Sequence, residues 1–188
     1  MISGLLTLIL IAAAPVAEAP GDLDALVTAI APGDGDARLH FSEQRDSPLL
    51  REPLVVTGEL WRDRQGRLVR QTDSPREETH TLGAGMIVID QPGRSPRNYS
   101  LDHVPELEVL YHGLTALLAG DTEALRRHFE HRLTSDEEGW RLVLQPRDER
   151  LSAEVETLAL SGRGDVLERF ELSLDSGETI TTELSRQP

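Results

Sequence analysis

The chain has 188 residues, with 33 acidic and 19 basic side chains, no cysteine and only seven aromatics. That length suits one domain, or one domain plus a short processed segment, with a sizeable core. Zero cysteines exclude a disulfide framework, thiolate zinc sites, a thiol nucleophile and lipid attachment through an N-terminal cysteine, and a formal charge of -14 argues against nucleic acid or an anionic bilayer as the main partner.

Residues Met1–Ala19 read MISGLLTLILIAAAPVAEA. The apolar stretch from Leu5 to Ala14 is too short to span ~30 Å of hydrocarbon as a helix. It has the length of a signal-peptide h-region, and Ala17-Glu18-Ala19 offers the small-x-small cleavage pattern. No Lys or Arg precedes the stretch and Pro20 follows the cleavage pattern, so a retained N-terminal anchor is the rival reading. The expectation is a cleaved signal over 1–19 and one domain over 20–188, released unlipidated into the bacterial periplasm.

Asp22 caps a predicted short helix whose Leu23, Leu26, Val27 and Ile30 fall on one apolar face, and Pro32-Gly33 stops it. From Ala37 the period becomes two: Ala37, Leu39 and Phe41 alternate with Arg38, His40 and Ser42, then Leu54, Val56, Gly58 and Leu60 with Val55, Thr57, Glu59 and Trp61. Arg64-Gln65-Gly66 is a turn into Arg67–Thr72. Further strands are predicted over Glu77–Leu82, Met86–Asp90 and Arg97–Leu101. The pattern breaks at Val104–Leu118, where Leu107, Leu110, Leu114, Leu117 and Leu118 form a helical stripe with Pro105 in the first turn and Gly120 beyond the end. Asp121 and Glu123 open a second helix that carries Leu125 and Phe129 and frays into strand. Period two then resumes through Trp140–Leu144, Leu151–Leu160, Phe170–Leu174 and Ile180–Leu184. About ten or eleven antiparallel strands with one amphipathic helix before them and a helix pair between two sets predict a mainly-β (α+β) half-barrel. Its N-terminal helix is followed by a helical lid on the concave side.

Catalytic machinery is hard to find. His128 and His131 stand at i, i+3 without an HExxH spacing, so solvated histidines are the better reading than a metal site. Ser100, Asp102 and His103 supply the residue types of a hydrolase triad, yet near-contiguous residues at a strand end cannot fold onto one another, and no GxSxG turn is present. Glu137-Glu138 and Asp148-Glu149 read as acidic loops, and Arg163-Gly164-Asp165 as a hairpin turn. The expectation is a protein that is not an enzyme and needs no metal or cofactor.

Several strings recur together: Phe41-x-Glu43-x-Arg45, Leu50, Pro53-Leu54, Gly58-Glu59-Leu60-Trp61, Arg67-Leu68, Gly120-Asp121, Trp140-x-Leu142-x-Leu144-x-Pro146, Leu160-Ser161-Gly162-Arg163-Gly164 and Asp175-Ser176-Gly177. With the element order, they resemble the LolA-like outer-membrane lipoprotein carriers over about Asp22–Leu184. The likeness is greatest to the LolA-related branch encoded beside acyltransferases and lipid or pigment exporters. The resemblance implies a periplasmic carrier that shields the acyl chains of a lipid or lipoprotein. It also implies inner-membrane donor and outer-membrane acceptor proteins, transient membrane contact, and a monomer. In that family an arginine after the Gly-x-Leu-Trp strand holds the lid and a phenylalanine four residues later faces lipid. The matching positions here are Arg64, as lid contact, and Leu68, with Gln65 where the family has proline. A solvated hairpin arginine is the other reading of Arg64.

The residues expected against lipid are Leu39, Phe41, Val56, Leu60 and Leu68 from the sheet, with Leu107, Leu110, Leu114, Leu117 and Leu118 from the lid. Each has ordinary core packing as its alternative role. An envelope sensor or interaction module on the same scaffold is the alternative function, and an envelope hydrolase depending on His103 or His131 a distant third.

Overall fold

The alternating segments pair into one antiparallel sheet of eleven strands, in a computed structural model that describes residues 22–30, 38–48 and 51–186. The expected signal peptide over 1–19, the Pro32-Gly33 helix stop and Leu50 lie outside the described residues. Strands β1 (Leu39–Asp46), β2 (Leu54–Arg62), β3 (Leu68–Ser74), β4 (Glu78–Gly83), β5 (Met86–Asp90) and β6 (Arg97–Ser100) pair in sequence order. So do β7 (Phe129–Asp136), β8 (Gly139–Pro146), β9 (Val155–Arg163), β10 (Val166–Leu174) and β11 (Thr179–Arg186). The two runs join where β1 pairs with β11, Phe41 opposite Leu184. That leaves β6 and β7 as the two edges of an open half-barrel.

The register sorts side chains into two faces. Leu39 lies opposite Leu60, Phe41 opposite Gly58 and Glu43 opposite Val56, so the expected inward parity holds across β1 and β2. Phe41, Leu60, Leu68, Leu82 and Ile87 are buried on this inner face. Gly58 marks a register shift, Thr57 standing opposite Ser74 and Gly58 opposite Thr72. A Cβ there would sit 1.9 Å from the Gln71 carbonyl oxygen, so glycine alone permits this bend.

Helix α1 (Leu23–Ile30) starts where the Asp22 carboxylate accepts the Ala25 N–H at 2.7 Å, and its four predicted apolar residues are buried. Between the sheet edges run a single 3-10 turn (Leu101–His103), α2 (Pro105–Ala119) and α3 (Thr122–His128). Pro105 opens α2, where an N–H would have no intrahelical partner. At the other end, the Gly120 N–H bonds to the Leu117 carbonyl at 3.2 Å and the Asp121 N–H to the Ala116 carbonyl at 2.9 Å. Asp121 then caps α3, accepting the Ala124 N–H at 2.8 Å.

Three local expectations are corrected. Leu101 opens the 3-10 turn rather than closing β6, and Phe129 begins β7 rather than riding on the second helix. Leu151 belongs to a short helix, α4 (Glu149–Ser152), because the Asp148 carboxylate accepts the N–H groups of Arg150 and Leu151 at 2.9 and 3.2 Å. Strand β9 starts only at Val155, and Asp148 is a cap rather than an unstructured acidic residue.

Candidate functional site

The helices cover the inner face, and α2 lies across β9 and β10. Gly113 sets how close it comes. A Cβ there would lie 2.5 Å from Leu158 Cδ2 and 3.5 Å from Leu144 Cδ1, so the missing side chain lets the helix settle onto two buried leucines. Val109, Leu114 and Leu117 are fully buried beneath α2, while Leu107, Leu110 and Leu118 are partly buried against the same core. These helices form the cover expected over the concave face of the sheet.

Polar contacts pin the outer side of the helical layer. Arg150 of α4 pairs with Glu108 of α2 at 2.7 Å and donates to the Asp102 carbonyl at 3.0 Å. Arg126 of α3 pairs with Asp24 of α1 at 2.9 Å. Between α2 and α3 the His112 and His128 rings stack at 4.2 Å, nearly parallel at 11°. Burial pushes His112 below the ordinary imidazole value, the charge of His128 pushes it the same way, and Glu108, 3.8 Å off, pulls it back.

One end of the inner face is polar. The Glu43 carboxylate, itself buried, meets the Arg70 guanidinium at 3.1 Å and accepts the Thr182 hydroxyl at 3.4 Å. Arg70 also stacks over the Phe41 ring at 4.5 Å. Burial lowers the Arg70 pKa and Glu43 opposes that shift. His80 stands 3.0 Å from Glu78, which accepts Gln91 Nε2–H at 2.8 Å. The residue-level reading missed this network. Its signal is parity: in Phe41-x-Glu43-x-Arg45, both charged residues occupy the face that Phe41 uses.

The other end is apolar and holds a cavity of about 100 Å³. Leu39, Leu60 and Leu68 of the sheet, Leu118 of the lid, Ile30 of α1 and Leu167 of β10 line it, with Trp61, Arg62, Asp165, Val166 and Arg186 around them. The cavity therefore gathers four of the residues expected to face lipid. Leu107, Leu110, Leu114 and Leu117 instead pack the lid core, and Phe41 and Val56 lie farther along the inner face. Arg64 occupies the exposed turn between β2 and β3. Among the described residues, the arginine that hydrogen-bonds α2 is Arg150. Arg62 and Arg186 were not anticipated, although their parity with Leu60 and Leu184 on their own strands would have placed them on the inner face.

The candidate catalytic groups do not assemble into a centre. Asp102 and His103 are exposed neighbours, 3.9 Å apart, on the 3-10 turn after Ser100. His131 is exposed on β7, whereas His128 ends α3 against His112. Among the described residues, no three His, Cys, Asp or Glu side chains are grouped to hold a metal ion. No described helix is long and apolar enough to cross a membrane.

A family model described as outer membrane lipoprotein carrier protein LolA-like matches residues 13–186. The chain belongs to this LolA-like family. Among solved structures, a LolA superfamily protein from Nitrosomonas europaea is 12% identical, with 92% of each chain covered and a TM-score of 0.44. LprF from Mycobacterium bovis is 11% identical, with 86% of this chain and 90% of that one covered and a TM-score of 0.38. The Pseudomonas aeruginosa MucA/MucB complex is 12% identical over 88% of this chain and 58% of that chain, with a TM-score of 0.42. No curated protein matches. LolA-like membership accounts for the open sheet with helices on its inner face.

Proposed function

We propose that this protein is a periplasmic carrier that shelters acyl chains of a lipid or lipoprotein beneath its lid and passes them towards the outer membrane. The convergence of Leu39, Leu60 and Leu68 with Leu118 of the lid on one apolar cavity is the observation that carries this reading. Leu107, Leu110, Leu114 and Leu117 complete the apolar surface that cargo would meet once α2 lifts, and Phe41 and Val56 extend it along the sheet. The protein would receive cargo from an inner-membrane donor and yield it to an outer-membrane acceptor, working as a soluble monomer after removal of residues 1–19. It would use no enzymatic step.

The closed cavity is small beside the ~300–1,000 Å³ of ordinary ligand pockets. It accommodates a few methylenes, so a whole acyl chain requires the lid to move. Each methylene taken from water contributes ~0.8 kcal/mol, which makes binding easy and release the harder task. Lid leucines that cover the inner face when empty offset much of that gain, because they return to it as cargo leaves.

Native mass spectrometry of protein isolated from the periplasm should show bound acylated molecules, and a fluorescent fatty-acid probe should bind the emptied protein. Leu118→Glu, at the cavity wall, should weaken probe binding at least about tenfold while the fold survives by circular dichroism. A well-folded wild-type protein that takes up no acyl probe would overturn the proposal.

A further inference from the structure

The apolar cavity is edged by two guanidinium groups that have no carboxylate partner among the described residues. Arg62 and Arg186 both line it, and the register shows how they come to face one another. Arg186 stands opposite Leu39, Leu39 stands opposite Leu60, and Arg62 lies two residues beyond Leu60 on the same strand and face. Two strand spacings sideways and two residues along separate their Cα atoms by roughly 12 Å. Both side chains line the cavity from the same face of the sheet.

Neither guanidinium has a carboxylate partner among the described residues. Among the described residues, Arg62 makes a single hydrogen bond, from Nε to the Gly66 carbonyl at 3.4 Å, and Arg186 makes no ion pair. Most arginines facing the sheet and helices do have carboxylate partners, as Arg38, Arg45, Arg70, Arg141, Arg150 and Arg169 show. Among the described residues, Asp165 is the one acid lining the cavity, and it lies on the β9–β10 turn. Among the described lining residues the balance is thus two cations to one anion, on a chain whose formal charge is -14. Screening over ~8 Å at physiological ionic strength lets this local excess dominate at the cavity.

We infer that the cavity takes an acyl amphiphile with an anionic head, the part of its chain nearest the head among Ile30, Leu39, Leu60, Leu68 and Leu118 and its carboxylate or phosphate held by Arg62 and Arg186. This rests on reading the cavity as an acyl site. A planar guanidinium is weakly hydrated and matches carboxylate and phosphate oxygens in a two-pronged geometry, so the arginine pair supplies head-group selectivity that the aliphatic wall cannot. Substrate class then follows from the two ends of the cavity together: an acyl chain, because the wall is aliphatic, and a negative head, because the edge is cationic.

The test is displacement of a bound fluorescent fatty-acid probe by dodecanoate, dodecyl phosphate, dodecanol and inorganic phosphate, at about pH 7.5 where both amphiphile heads are ionised. Dodecanoate and dodecyl phosphate should displace the probe about tenfold more effectively than dodecanol, and inorganic phosphate should not displace it. In Arg62→Gln/Arg186→Gln that advantage should shrink to within about twofold while dodecanol displacement is unchanged. Arg76→Gln/Arg132→Gln, which alters net charge equally at exposed sites away from the cavity, should retain it. Dodecanol matching the anions, or the arginine pair proving dispensable, would overturn the head-group assignment and leave the acyl cavity standing. Displacement by inorganic phosphate alone would also overturn it, in favour of a free-anion site. Failure of all three chains to displace the probe would overturn both.

Discussion

Replacing Gly113 by valine is expected to loosen the lid. The first added atom would lie 2.5 Å from Leu158 Cδ2, and Leu144 Cδ1 is 3.5 Å away, both on fully buried side chains. Either Leu158 leaves its packed position or α2 rises from β9. Overpacking of this kind costs ~1–3 kcal/mol. Valine also favours helix over glycine by a few tenths of a kcal/mol, about the same whether α2 is docked or lifted. The clash exists only in the docked state, so the docked-to-lifted balance takes its full weight, a shift of roughly 5- to 150-fold. Global stability falls by slightly less, because the propensity gain offsets part of the loss. Amide hydrogen exchange along Pro105–Ala119 reads the first quantity and a urea midpoint the second. Exchange should accelerate in α2 and not in β2–β3, with Gly113→Ala intermediate because its lone methyl meets the flexible end of one leucine. Unchanged protection in α2 together with a raised urea midpoint would show that Gly113 merely weakens the helix and does not set its approach to the sheet.

Two further perturbations address the buried charges and the histidine stack. Arg70→Met strands the buried Glu43 carboxylate without its cation and should cost ~3–5 kcal/mol in urea unfolding, whereas Glu43→Leu/Arg70→Met should recover most of that loss. Acidification should loosen the α2–α3 contact. His112 is held below its unfolded value by burial and by His128, so the unfolded or undocked chain binds the proton more readily. Its stabilising contribution is therefore complete above the unfolded value of about 6.5 and is lost as pH falls through it towards the folded one. Protection factors of α2 amides, corrected for the intrinsic pH dependence of exchange, should fall between about pH 7.5 and 5.5, and His112→Asn should flatten that dependence. His80, lowered first by burial and also by Arg70, contributes in the same direction to global stability, so the local readout in α2 is the discriminating one.

The fold was largely legible because the two hydrophobic periods change cleanly along the chain. Leu39-x-Phe41 and Val56-x-Gly58-x-Leu60 alternate, then Leu107 to Leu118 runs at helical spacing, and the structure follows both. Pairing of β1 with β11 was not legible, since it joins distant strands whose alternation is compatible with many neighbours. Leu151 misled because an apolar residue just before a strand continues its period. Two backbone N–H groups bonded to Asp148 redirected it into α4. At the site, apolar residues were easier to foresee than charged ones. Glu43, Arg62, Arg70 and Arg186 share the inner face by parity, but hydrophobicity alone assigns arginine and glutamate to solvent. Only register shows Arg70 over Phe41 and Arg186 across from Leu39.

Topology explains how a lid can move without unfolding the sheet. Strands β6 and β7 are the open edges, and the 3-10 turn, α2 and α3 run from one edge to the other. The lid is thus tethered at both ends but takes no part in the β ladders, so lifting it breaks none of their hydrogen bonds. What resists lifting is leucine packing around Gly113, the His112–His128 stack and a few ion pairs such as Arg150–Glu108. The ion pairs are more than a third exposed on the arginine side and so contribute little each. Apolar packing is the main restraint, and in the proposed function an acyl chain entering the cavity would replace apolar contacts with apolar contacts. Opening in the presence of cargo would then cost much less than opening in water, which is the thermodynamic condition the proposed carrier needs in order both to load and to release.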